Sequence, residues 1–555
     1  MGLKNSSFSI RQPLFICIAL AGGILLGATI FSHSPQNNKS FQGYQRIKQV
    51  LSLISSDYVD TVNTDELVDY SIEKMLEKLD PHTVYIPLAN VQAAKSQLES
   101  GFDGIGVEFN IFRDTVYVVA PLIGGPSEAI GVQTGDKIVK VDDKPIFDKK
   151  KSDNGTVFKK LRGPKGSKVK LGIMRKGVKG IMDFTVTRDK IPNYSVEAAY
   201  MIDGKTGYIK VSNFAENTFT EFKQALKELK DTGMRQLILD LRGNPGGYLD
   251  RATNMVDELL ADGKMIVYTD GKVKQYDSKI RSNHPGIFEK GPIIVLIDEG
   301  SASASEIVSG ALQDNDRALI VGRRSFGKGL VQMPVDLEDG SQLRLTISRY
   351  YTPSGRSIQK PYGKDTNPDD YELDWKHRYD HGEYFHPDSI KFNQKLKFST
   401  LNGRTVYGGG GIMPNFFVPL DTTFNTKYLG ELAGANVIRE FSFKYYADHK
   451  AELSKMPFKT FNKNFTINDE MMKEVVEMGN KAKVKYNQKE YDRSQLLIRN
   501  QIKALIARSN YRHDHLGKNN EYYEVMMPAT DEIYNKAVNL FSEAQKIEDL
   551  GEKKK

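Results

Sequence analysis

Three glycine- and serine-rich segments, each directly behind a short apolar run, constrain this chain more than any other feature. They are Asp240-Leu-Arg-Gly-Asn-Pro-Gly-Gly247, Asp298-Glu-Gly-Ser-Ala-Ser-Ala-Ser-Glu306 and Gly322-Arg-Arg-Ser-Phe-Gly-Lys-Gly329. The preceding runs, Gln236–Leu241, Pro292–Ile297 and Ala318–Val321, read as buried strands, as does Tyr208–Val211 further upstream. Between the first two strands in chain order, Phe219–Leu229 carries helical spacing at Phe222, Leu226 and Leu229. This alternation predicts an α/β core with a layered sheet over residues 191–420. In such sheets ligand sites form beyond the carboxyl ends of the strands, so the three loops are expected to build one cleft.

At 555 residues the chain is too long for one ordinary core. Residues 41–100 read as helices, with Asn63 followed by Glu66 as a helix start and Pro81 as a break. Residues 101–190 are β-rich, with strand candidates Val116–Ala120, Lys137–Val141 and Lys168–Met174 between glycine and proline turns. Residues 421–555 read as helical again, over Glu431–Leu453, Glu470–Lys485, Gln488–Asn510 and Asp531–Leu550.

The N-terminus reads as an anchor. Lys4 and Arg11 precede an uncharged stretch, Pro13–Phe31. In a helix it approaches the ~30 Å hydrocarbon core. Residues 1–12 are then expected to form a cytoplasmic tail and 13–31 a single-pass, uncleaved inner-membrane anchor, favoured over a cleaved signal peptide. The body is expected on the periplasmic side. The sole cysteine, Cys17, lies inside that stretch and can form neither an internal disulfide nor a cysteine zinc site. A net charge of +8, spread among acids, gives no nucleic-acid stripe.

Ser303 follows the middle strand, just before an apolar helical face at Ile307, Val308 and Leu312. A serine there sits at a helix N-terminus, where free N–H groups favour the oxyanion of acyl transfer. Read alone, the segment is more simply a serine-rich helix cap. Lys328, between Gly327 and Gly329, changes the balance. A buried lysine loses its charge readily and can accept a serine proton. None of the nine histidines falls in the three loops, although a distant one could fold back. The third loop lacks the Ser or Thr that a phosphate loop needs after its lysine, since Gly329 stands there. No metal or cofactor is expected.

The runs Gly300–Ile307 and Ser325–Gly329 with Gln332 resemble the C-terminal processing (tail-specific) peptidases. So do Leu79-Asp-Pro-His-Thr83, Leu241–Gly247, Arg349–Gln359 and Gly409–Pro414. The resemblance implies a crotonase-like α/β peptidase core with an inserted PDZ-like domain, an N-terminal helical segment and a C-terminal helical domain. It implies Ser303 as nucleophile and Lys328 as base, with Gln332, one helical turn on, orienting the lysine. The oxyanion donors would be the N–H groups of Ala304 and Gly246. Gly104, Ile105, Gly106 and Val107 would hold the carboxylate of a substrate tail. Expected partners are proteins with apolar C-terminal tails, with a homo-oligomer or an accessory regulator left open and no nucleic acid. The alternative is a non-catalytic, membrane-tethered tail-binding scaffold.

Overall fold

The computed structural model describes residues 39–96, 98–112, 114–122, 124–147, 154–363, 368–511 and 519–552. The chain divides into two units, one ending at Glu77 and one beginning at Lys78. Among the described residues the first holds two helices, Lys39–Asp57 and Thr64–Leu76. Asn63 caps the second, its Oδ1 accepting the N–H of Asp65 at 3.2 Å.

The second unit is built on a six-stranded, mostly parallel sheet. In chain order its strands are β1 (Val196–Met201), β2 (Thr206–Val211), β3 (Gln236–Asp240), β4 (Ile293–Ile297), β5 (Ala318–Gly322) and, after an excursion, β8 (Phe416–Phe417). They lie side by side in that order. Only β1 runs antiparallel to its neighbour. Strands β2, β4 and β5 are buried at every position, which is why β4 and β5 read as continuous apolar runs, whereas β2 also buries Thr206 and Lys210. The helix α1 (Ala304–Asp314) follows β4 and is buried along its whole length. One face of the sheet joins Phe222, Leu226, Val308 and Leu312 in a common core.

The excursion between β5 and β8 contains β6 (Leu330–Asp336) and β7 (Gln342–Tyr351), an antiparallel hairpin in a separate five-stranded sheet. The short strand Val84–Ile86 pairs with β7 in that sheet. The β-rich module forms its own six-stranded sheet with Val107–Phe112 at one edge. A two-stranded ribbon, Gly101–Gly104 against Asp189–Pro192, closes the module where the chain enters and leaves it. Asn193 N–H donates to the Ser100 carbonyl at 2.9 Å just beyond the ribbon.

The C-terminal helices split in their allegiance. Tyr428, Phe441, Phe461, Met472 and Ile502 form a core of their own. The last two helices, α2 (Glu532–Val538) and α3 (Phe541–Glu552), instead bury Ile533, Tyr534, Phe541 and Ile547 with Ile238, Ile294 and Leu319, on the second face of the main sheet. The long helix expected over Glu431–Leu453 breaks into Lys427–Gly434 and Val437–Leu453, with Asn436 left-handed at φ 56° between them.

One expectation is overturned. Among the described residues no helix is long and apolar enough to cross a membrane. The inner-membrane, periplasm-facing location inferred from the sequence is therefore corrected. The stretch 13–31 that suggested it lies outside the described residues.

Candidate active site

Strand β4 ends at Ile297, and the chain turns sharply before α1 begins. Asp298 stitches the turn together: its Oδ1 accepts the N–H groups of Gly300 at 3.0 Å and Gly243 at 2.8 Å. The middle and first glycine loops thus share one carboxylate. Ser303 is the residue before α1, with φ 53° and ψ −111°. A β-carbon makes that backbone costly, by roughly 1–3 kcal/mol, and such strain persists only where the surroundings enforce it.

Glu306 supplies much of that enforcement. It is fully buried. Its Oε2 accepts the N–H of Ser303 and the N–H of Lys328, each at 2.8 Å. Its Oε1 accepts the Gly327 N–H at 2.7 Å and the Ser325 hydroxyl at 2.6 Å. Burial pushes this acid up to about 7, against the pull of those four donors. A second buried side chain bridges the same pair of residues. The Tyr350 hydroxyl, from β7, lies 2.5 Å from the Lys328 carbonyl and 3.1 Å from that of Ser303. Burial holds the phenol well above its ordinary pKa, so it stays a donor.

Lys328 is half-buried. Among the described residues its side chain has no hydrogen-bond or ion-pair partner. Desolvation lowers its pKa first, Arg344 adds to the effect, and Glu306 and Asp80 oppose it. Partial burial with no acceptor favours the neutral form of an ammonium group. Ser303 and Lys328 are brought together through their backbones, and no direct bond joins Oγ to Nζ in the resting arrangement.

Gln332 departs from expectation. It lies on β6, an extended strand with a bulge beside it, and not one helical turn beyond Lys328. Its amide donates to the His82 carbonyl. His82 is thus a histidine that folds back to the site. Its Nε2 lies 2.6 Å from the Tyr371 hydroxyl, and burial, then the Lys328 charge, hold it down to about 4. Asp80 organises this loop, accepting the N–H groups of His82 and Thr83 at 2.8 Å each.

The oxyanion side also needs a correction. The Gly246 N–H donates to Asn244 Oδ1 at 2.9 Å, so it is committed within its own turn. Asn244 is fixed in that orientation because its Nδ2 donates to the Val211 carbonyl at 3.0 Å. Gly246 serves by being small. A β-carbon there would lie 2.8 Å from the Ala302 carbonyl and 2.9 Å from the Ala304 nitrogen. The N–H groups of Ala304 and Gly247 have no acceptor among the described residues. The Gly247 carbon backbone pairs with Phe214 on its other side, as an isolated parallel bridge.

In the β-rich module, Gly104 closes the ribbon opposite Asp189, and Ile105 is buried in the module's core. Gly106 has φ 68°, and its carbonyl accepts the Leu122 N–H at 2.8 Å. Val107 opens the edge strand. The N–H groups of Ile105 and Gly106 have no acceptor among the described residues.

Sequence reasoning singled out Ser303 and Lys328 but missed Glu306 and Tyr350. The spacing Ser303-x-x-Glu306 is a capping-box signature and points to the first. Nothing local marks Tyr350, whose role depends on how β7 packs.

Comparison with known proteins identifies the family. Residues 205–370 match the model for peptidase family S41, and residues 104–186 match the PDZ domain. Residues 27–88 match the activating protease CtpB N-terminal domain, and 428–512 match a family of unknown function, DUF8443. A carboxy-terminal-processing protease of Bartonella bacilliformis is 35% identical over 361 residues, covering 63% of this chain and 80% of that protein. The carboxy-terminal processing protease CtpB of Bacillus subtilis is 35% identical over 321 residues, covering 57% of this chain and 65% of that protein. The solved structure of a photosystem II D1 C-terminal processing protease is 30% identical, with a TM-score of 0.33, covering 58% of this chain and 86% of that one. The family models and the two curated relatives favour a catalytic protein over a tail-binding scaffold, and the chain belongs to peptidase family S41, among its PDZ-containing carboxy-terminal processing proteases.

Proposed function

We propose that this protease cuts peptide bonds with Ser303 as nucleophile and Lys328 as general base, on proteins whose C-terminal tails dock on the PDZ module. The observation that carries the reading is the shared Glu306 oxygen, which sets the serine, at a helix N-terminus, beside a half-buried lysine that has no other partner among the described residues. Neutral Nζ of Lys328 takes the proton from Oγ of Ser303 as Oγ attacks the scissile carbonyl carbon. The carbonyl oxygen becomes an oxyanion and is met by the free N–H groups of Ala304 and Gly247. The Lys328 ammonium then returns the proton to the leaving amine. Water repeats the sequence on the acyl-enzyme, releasing the acid and restoring Ser303. Gln332 acts at one remove, holding the His82 loop that lines the lysine side of the cleft. The tail carboxylate is bound by the N–H groups of Ile105 and Gly106, with the tail added to the edge strand that starts at Val107.

The test uses the full-length chain and a loosely folded protein with an apolar C-terminus, beside Ser303→Ala and Lys328→Ala. Cleavage by the parent and by neither variant is expected. Cleavage that survives Lys328→Ala would remove the lysine from its role and make His82 the first suspect.

A further inference from the structure

The turn that carries Gly246 and Gly247 is anchored from below by a residue far along the chain. Strand β3 ends at Asp240, and Arg242 follows at the root of the turn. The Arg242 guanidinium points away from the cleft, toward the sheet face covered by the last two helices. One edge holds Asp240: Nε lies 3.0 Å from Oδ1 and Nη2 lies 2.6 Å from Oδ2. The other edge holds Asp531, with Nη1 at 2.9 Å from Oδ1 and 2.8 Å from Oδ2. Nη2 also touches Met527 Sδ at 3.7 Å. Lys210 donates to the Arg242 carbonyl and lies 3.3 Å from Asp240 Oδ1. Two carboxylates, one guanidinium and one ammonium make a charge-balanced cluster, largely removed from water.

Asp531 is the member of this cluster that comes from the C-terminal helices. It is the N-cap of α2, and its Oδ1 accepts the Tyr534 N–H at 2.8 Å. We propose that Asp531 is a positioning residue for peptide-bond cleavage, acting through Arg242 to hold the Gly246–Gly247 turn against Ser303. The inference rests on the Ser303 reading above. Asp240 grips one edge of Arg242 through two parallel hydrogen bonds, and Asp531 holds Nη1, the corner that Asp240 leaves open, so losing the Asp531 anion leaves a part-buried donor and its charge unpaired and lets the arginine shift. Its backbone leads within a few residues to Gly246, which packs on the Ala302–Ala304 backbone with no room to spare. A small displacement there moves the Gly247 N–H away from the oxyanion and leaves the binding of the docked tail untouched. Such a defect slows turnover and weakens binding of a tetrahedral adduct.

The experiment separates charge from capping. Asp531→Asn keeps an N-cap of similar quality but loses the anion. Asp531→Glu keeps the anion but caps poorly. Both are measured in the full-length protein, well below their unfolding midpoints, with a peptide substrate and a peptide boronic acid that forms a tetrahedral adduct on serine. Asp531→Asn is expected to lower kcat by about tenfold or more and to weaken boronate affinity by a similar factor, with KM within about twofold. Asp531→Glu is expected to recover most of both losses. If both variants match the parent in kcat and boronate affinity and only melt earlier, Asp531 is a helix cap and the proposal falls. It also falls if Asp531→Glu is as slow as Asp531→Asn. Ser303→Ala runs in parallel, and full activity in that variant would sink the nucleophile assignment itself, a result distinct from either outcome at Asp531.

Discussion

The backbone N–H groups of Ser303 and Lys328 meet on one oxygen, Oε2 of Glu306, each at 2.8 Å. Two residues from different loops are thereby tied to a common point in the interior. The two side chains proposed to react thus start from backbone atoms held at the same point.

Activity should follow the ionisation of this pair. Lys328 must be neutral to accept a proton, and burial lowers it from the ordinary ~10.4 of lysine. Glu306 must be ionised to accept four donors, and burial pushes it up to about 7. The profile of kcat/KM against pH should therefore fall below about 7 and keep rising above it as Lys328 deprotonates. A bell with its base limb at an unperturbed histidine value would contradict the lysine. Stability should move the other way. The folded state binds a proton at Glu306 more tightly than the unfolded chain, whose value is about 4.5. That contribution is fully present below about 4.5 and is lost as pH rises through about 7.

Glu306→Gln should remove that acid limb. The amide keeps one acceptor oxygen but turns an NH₂ group toward N–H donors, leaving some of them unpaired. The cost is expected at about 1–3 kcal/mol of stability, with a larger proportional loss in kcat. Thermal unfolding and steady-state kinetics on the same preparation check both halves. A variant with parental kcat would mean that the shared oxygen does not set the site.

Tyr350→Phe deletes the hydroxyl that reaches the Ser303 and Lys328 carbonyls while keeping the buried ring. A loss of about 1–3 kcal/mol is expected from the Lys328 carbonyl, which loses its donor, whereas the Ser303 carbonyl keeps the N–H groups of Glu306 and Ile307. Turnover should fall and KM should hold, which initial rates over a range of substrate concentrations would reveal.

Gly246→Ala introduces a methyl group 2.8 Å from the Ala302 carbonyl, at a residue with φ 100°. The turn must withdraw from Ser303, taking the Gly247 N–H with it. Loss of one oxyanion donor typically lowers kcat by about 10²–10³. Tail-peptide binding, followed by fluorescence anisotropy, should be unchanged.

Gly106→Ala tests the tail site. Its new carbon would sit 3.0 Å from Pro126 Cδ and 3.2 Å from Ile191 Cδ1, at φ 68°. Cleavage of a protein with an apolar tail should slow through KM. Cleavage of a short peptide that does not reach the module should keep its parental rate, and equal losses on both would argue against tail docking here.

Strands β4 and β5 were legible because both are buried on both faces and so read as unbroken apolar runs. Lys137–Val141 and Lys168–Met174 came through with their limits intact for a related reason, since turn residues bracket them. The hairpin β6–β7 did not, because its burial pattern is mixed and its pairing is set by contacts with Val84–Ile86 and Met265–Gly271. The misreading of Gln332 follows directly, as a spacing of four suits one face of a helix and of a strand alike. Asp531 lay beyond inference for a different cause. Its partner Arg242 is 289 positions away, and only the folding of α2 onto the sheet brings them together.

The ribbon at the base of the PDZ module has a consequence for how specificity can change. The chain leaves the core at Ser100 and returns at Asn193, and a single hydrogen bond of 2.9 Å spans the gap between them. Both covalent leads of the module thus emerge at the same point, while its outer face meets the C-terminal helices through Glu108 on Arg508, Lys176 on Asp448 and the rings of Phe112 and Tyr117 on Phe443. Exchanging it for another domain requires no new chain route into the core, but the replacement has to rebuild that second seam, so the module and the C-terminal helices are bound to change in step.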